Sequence, residues 1–150
     1  TSMRPIHPLP PYRSPHAPHE AIKRNGAAAV EFAVVAPLLF AIVLGLVEFG
    51  RAIMVEQTLV SAARESCRVA VLAGTTKQDV IDRATASLSA AGISNFTITM
   101  NPDPPSSASE GTPVTVTITV SFNNVTWLPV PIYLGGKNLT ASSVMRREWN

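Results

Sequence analysis

From Ala27 to Val47 the chain carries 21 residues that are apolar but for one carboxylate, Glu31. A helix rises about 1.5 Å per residue, so this run covers roughly 31 Å, the thickness of a bilayer's hydrocarbon core. A buried helix of a soluble protein is the first alternative, but the remaining chain is too small to wrap it. A secretory signal is the second, but its apolar region is shorter, about 7–15 residues, and ends on small residues. Here the run ends on Val47, Glu48 and Phe49. The reading is a membrane-spanning helix over residues 26–48.

Charge sets the expected orientation. Four basic residues, Arg4, Arg13, Lys23 and Arg24, precede Ala27 against the single acid Glu20, whereas Glu48, Arg51 and Glu56 balance the far flank. By the positive-inside rule the N-terminus is cytoplasmic and the C-terminal hundred residues are extracytoplasmic. The pI of about 9.0 therefore reports the tail, and it gives nucleic-acid binding no support. Residues 1–25 hold six prolines in their first 18 positions, which favours extended, solvated backbone in a basic cytoplasmic tail. His7, His16 and His19 all lie in this tail, and the expectation is ordinary polar residues rather than metal ligands.

Past the span no proline interrupts the chain before Gly74, a natural helix stop. Ala52, Val55, Leu59, Ala62, Ser66, Val69 and Ala73 recur at steps of three and four, one stripe of a helix running from about Ala27 to Ala73. Such a stripe can be a seam between subunits or the face that packs on the following domain, and packing is the expectation. Cys67 reads as a small packing residue; as the lone cysteine it excludes an internal disulfide. Thr75 or Thr76 caps a second helix whose face is Val80, Ile81, Ala84, Leu88 and Ala91, ended by Gly92. The period then changes to two. Phe96, Ile98 and Met100 alternate with threonines, as do Val114, Val116, Ile118, Val120 and Phe122, and a further strand is expected near Leu139–Arg147. One apolar face per strand predicts an antiparallel sheet covered on one side. The fold class is thus α+β, with residues 49–150 forming a helix-plus-sheet head.

That head contains no histidine, so no Ser-His-Asp or Cys-His pair can form in it. Its acids are scattered without metal-ligand spacing, and Gly135-Gly136-Lys137 lacks the rest of a phosphate loop. Asn95, Asn124 and Asn138 open Asn-x-Thr triplets, which threonine-rich strands produce by chance. The expectation is a non-enzymatic packing or interaction module with no cofactor and no metal.

Glu31 has an ordinary explanation and a functional one. An acid early in a helix gains about 0.3–1 kcal/mol from the helix dipole. A charge within a span costs about 2.5–3.5 kcal/mol at the centre and less near the edge, so such an acid calls for a partner. Cutting between Gly26 and Ala27 would create an α-amine four residues before Glu31, able to neutralise Glu31 of another subunit.

Gly26, four residues, then Glu31-Phe32 behind Lys23-Arg24 resembles the prepilin-peptidase site of type IV pilins. The block GAAAVEFAVVAPLLFAIVLGLVEFGR resembles the TadE-like family, pseudopilins of the tight-adherence (Tad) pilus machinery. The resemblance lies in the Ala-Val-Glu-Phe-Ala opening, Pro37-Leu38-Leu39 and the closing Glu48-Phe49-Gly50-Arg51. It implies a minor pseudopilin of the bacterial cytoplasmic (inner) membrane that supports Tad pilus assembly in adhesion. Its partners would be prepilin peptidase, other pilin or pseudopilin subunits and Tad assembly proteins. Gly26 and Ala27 would be the cleavage site, Glu31 and Phe32 the assembly and charge-pairing positions, and Glu48 to Arg51 the membrane-boundary motif. The sequence departs in its long proline-rich leader and in Phe32, where such pilins often carry tyrosine. A permanently anchored, uncleaved binding domain is the alternative.

Overall fold

The computed structural model describes residues 19–147, with side chains from residue 26 onward. The proline-rich stretch with His7 and His16 lies outside the described residues, as does the side chain of His19. The elements are α1 (His19–Ala70), α2 (Lys77–Ser89), β1 (Thr97–Asn101), β2 (Pro113–Ser121) and β3 (Asn138–Arg146). The α+β expectation holds: a long helix, a short helix and a three-stranded antiparallel sheet. The chain divides into two units, Thr1–Leu39 and Phe40–Asn150.

Helix α1 begins eight residues before the expected Ala27, with Asn25 inside it. The reason is local. After Pro18 the sequence His-Glu-Ala-Ile-Lys-Arg-Asn contains no breaker, and extending a helix already nucleated costs little. The helix also passes through Pro37, which removes one hydrogen-bond donor from its ladder. It ends at Ala70, three residues short of Ala73. Val71 N–H still donates to Cys67 O at 3.2 Å and Leu72 N–H to Val69 O at 3.1 Å, before Gly74 reverses the chain at φ +76°.

In the first unit, the residues of α1 with described side chains are exposed apart from a partly covered Ala36. Among the described residues one helical stretch is long and apolar enough to cross a membrane, and it falls in α1 from Gly26 on. In the second unit, α1 buries Ala52, Val55, Leu59, Ala62, Ala63, Ser66, Cys67 and Ala70. The predicted stripe thus packs within its own chain, shifted slightly: Ala63 and Cys67 join it, Val69 is half-buried and Ala73 is exposed. The thiol of Cys67 donates to Val114 O at 3.4 Å, tying α1 to β2, and burial pushes that thiol's pKa up.

Helix α2 starts on a capping box. Thr76 Oγ1 accepts from Asp79 N–H at 3.2 Å, and Thr76 N–H donates to the Asp79 carboxylate at 2.8 Å. Val80, Ala84 and Leu88 face the core, while Ala91, expected on that face, is exposed. Gly92, at φ +73°, turns the chain so that Ile93 fills the place and donates its N–H to Leu88 O. The sheet order is β1-β2-β3, with Ile118 paired to Ile98 and Ala141. Val114, Val116, Ile118 and Val120 are buried and the intervening threonines are half-buried, as the alternation predicts.

Candidate anchoring and assembly site

The predicted site residues fall into two groups on α1, and the structure treats them differently. Glu48, Phe49 and Arg51 hold the loop between β2 and β3. This loop runs Thr-Trp-Leu-Pro-Val-Pro-Ile-Tyr-Leu from Thr126 to Leu134. Its prolines keep it out of any strand, so its amides need partners elsewhere. Glu48 supplies them. The residue is 1% exposed, and its carboxylate accepts three successive backbone N–H groups, from Ile132, from Tyr133 at 2.9 Å and from Leu134 at 2.9 Å. A buried carboxylate is tolerable because both oxygens are satisfied.

The neighbours of Glu48 complete the clasp. The Tyr133 hydroxyl donates to Ala41 O at 3.0 Å, so the phenol lies along α1 for nearly two turns. A Cβ at Gly45 would stand 3.2 Å from the Tyr133 ring, so glycine is needed there for close approach. Phe49 and Tyr133 rings are tilted, with centroids 6.5 Å apart. Arg51 Nε donates to Val125 O at 2.7 Å, and its guanidinium lies 4.8 Å over the Trp127 ring. Gly50 has open space around it, so packing does not explain glycine at that position.

Sequence reading assigned Glu48 to Arg51 to a membrane boundary without finding what they hold. Gly45, Tyr133 and the amides of residues 132–134 were missed. The available signal was a proline-broken apolar loop, unable to pair in a sheet, facing one isolated acid at the end of an apolar run.

The second group is Gly26, Ala27, Glu31 and Phe32, and all four are exposed. Gly26 has open space where a side chain would go. Phe32 is 69% exposed. Glu31 has no hydrogen-bond or ion-pair partner among the described residues, whereas Glu65 binds Arg83 and Ser87 Oγ and Asp103 binds Lys77 at 2.6 Å. Those contacts hold the Glu65 carboxyl below its ordinary pKa, chiefly through the hydrogen bonds from Ser87 and Arg83. Among the described residues no group of three His, Cys, Asp or Glu side chains could hold a metal ion. A cleft of about 630 Å³ is lined by Glu65, Arg68, Leu72, Arg83 and Met145, and it includes none of the predicted site residues.

No match was found among curated proteins or among solved structures. Residues 26–68 match the family model described as TadE-like protein, so the resemblance read from the Ala-Val-Glu-Phe-Ala opening to Glu48-Phe49-Gly50-Arg51 is borne out over this segment of α1.

Proposed function

We propose that this chain is a non-enzymatic, single-span minor pseudopilin that supports assembly of a Tad-type pilus used in adhesion. Its tail is cytoplasmic, and its head projects from the inner membrane of a bacterium. The observation that carries the reading is the TadE-like match across residues 26–68, on a helix that leaves Glu31 exposed among apolar residues. In lipid an unpartnered carboxylate is unstable, so Glu31 recruits a cation. Prepilin peptidase cutting between Gly26 and Ala27 provides one, the new α-amine, and on a neighbouring parallel helix it meets Glu31.

One observation favours the uncleaved, anchored alternative. Helix α1 runs unbroken through Gly26 and Ala27, and a peptidase needs the backbone locally opened at the bond it cuts. Three strains separate the readings: wild type, Glu31→Gln and Gly26→Val, each scored for the mature N-terminus and for surface pili. The pseudopilin reading expects cut wild type, cut but non-piliated Glu31→Gln, and uncut Gly26→Val. Uncut wild-type protein would favour the anchored domain, and normal piliation in Glu31→Gln would reduce Glu31 to a helix-start residue.

A further inference from the structure

The loop that Glu48 holds carries an unusual surface. Trp127, Val130, Ile132 and Tyr133 are 64%, 73%, 57% and 46% exposed, yet all are large and apolar. Between Glu110 and Arg146 the sequence has one charged residue, Lys137, and it lies beyond the end of this loop. The loop lies along the last turns of the apolar run. Tyr133 reaches Ala41 O, and on that stretch Ile42, Val43 and Leu46 are exposed as well. At Tyr133 the exposed apolar residues of the loop thus meet those of the run.

The loop backbone is prepared for a place poor in water. Of the eight residues from Trp127 to Leu134, six have an amide that is absent or already bonded. Pro129 and Pro131 have none, Leu128 N–H donates to Thr126 Oγ1, and those of Ile132, Tyr133 and Leu134 go to Glu48. Non-helical backbone survives at membrane depth only when such groups are satisfied. Trp127 and Tyr133 are also the side chains that favour the membrane–water boundary, having an apolar body and a polar tip. Arg51, over the Trp127 ring, keeps a charge at the same level.

We infer that the Trp127–Tyr133 loop is a second membrane contact: it inserts its apolar side chains into the interfacial layer of the leaflet on the head side, with lipid as its occupant. The inference rests on the reading that Ala27–Val47 crosses the membrane. From Glu48 to Ala41 is about 10 Å of helix, so the Tyr133 ring lies at the depth interfacial segments reach, about 5–10 Å. The head is then fixed in tilt and height above the bilayer by two attachments, the span and the loop. One helix alone would leave it free to swivel.

The test uses full-length protein in vesicles of phosphatidylethanolamine and phosphatidylglycerol, with bromine placed either high on the acyl chains or near their ends. Trp149→Phe leaves Trp127 as the sole tryptophan. A reference variant, Phe40→Trp with Trp127→Phe and Trp149→Phe, reports on the span. The expected result is blue-shifted Trp127 emission, quenched more by shallow than by deep bromine, with the reference quenched by deep bromine. Red-shifted, unquenched Trp127 emission beside a quenched reference would overturn the loop insertion and leave the span intact. Blue-shifted but unquenched Trp127 emission would mean that protein, such as a second copy, covers the loop, and would also overturn it. An unquenched reference would remove the span reading, and the inference with it.

Discussion

Replacing Ile118 by aspartate tests the sheet face that organises the head. Ile118 is fully buried in the middle strand, between Ile98 and Ala141. Removing its side chain alone, as in Ile118→Ala, should cost about 2–5 kcal/mol, from lost burial plus the residual cavity. Ile118→Asp puts a carboxylate into the buried apolar cluster that holds Val116 and Val120. That adds several kcal/mol more, so the total approaches the roughly 5–15 kcal/mol that a domain has in all. The neighbouring Thr117 is the control. Its hydroxyl shares a 3.1 Å hydrogen bond with Ser142 on the exposed face, and Thr117→Asp loses that contact and some strand propensity, about 1 kcal/mol. Urea unfolding of the full chain in detergent micelles, followed by near-UV circular dichroism, should rank the variants Thr117→Asp, Ile118→Ala, Ile118→Asp in order of increasing damage. Equal midpoints for the two aspartate variants would mean that the assigned buried face of β2 is wrong.

Thr76→Ala should cost about 1 kcal/mol by removing the cap of α2, read as an earlier urea midpoint with an unchanged slope. Glu65 has a folded pKa below its ordinary value, so its contribution to stability is present above that value and lost as pH falls through the folded one; Glu65→Gln should flatten the acid limb of a stability–pH curve and leave the neutral plateau shape unchanged. In intact cells, on a Cys67→Ala background, a membrane-impermeant maleimide should label Ser107→Cys and spare Ser14→Cys, and labelling of Ser14→Cys with a sealed cytoplasm would reverse the proposed topology.

The helices and strands were legible because each carries its period in long, unmixed segments. The strict Val-Thr alternation of Val114–Val120 admits one face, and β2 buries that face. The three-four stripe on α1 likewise fixed which side meets the sheet, although Ala63 and Cys67 show it to be wider than a single line of residues. Boundaries were less legible. The start of α1 depends on whether helix formers such as Ala21 and Lys23 are recruited by a neighbour, which a helix start placed at the apolar run overlooks. The clasp was invisible for a different reason. Glu48 and the amides of Ile132 to Leu134 are over eighty residues apart, and backbone donors leave no signature in side-chain identity.

Two glutamates, Glu31 inside the apolar run and Glu48 just past it, look alike in sequence, and their partners separate them. Glu48 finds its donors within its own chain and is buried, whereas Glu31 is exposed and has none among the described residues. The same change at each should therefore fail in different places. In Glu48→Gln the amide group must turn an N–H toward at least one of three backbone N–H groups, so one loop donor loses its acceptor. The amides of Ile132, Tyr133 and Leu134 should then exchange with deuterium faster, while those of β2 keep their protection. Glu31→Gln touches no contact of the head, so its exchange pattern should match wild type throughout residues 49–147, even where piliation is lost. Unchanged protection at residues 132–134 in Glu48→Gln would show that the carboxylate does not hold the loop. Altered head protection in Glu31→Gln would show that Glu31 acts on the fold, and its loss could no longer be read as a failure of assembly.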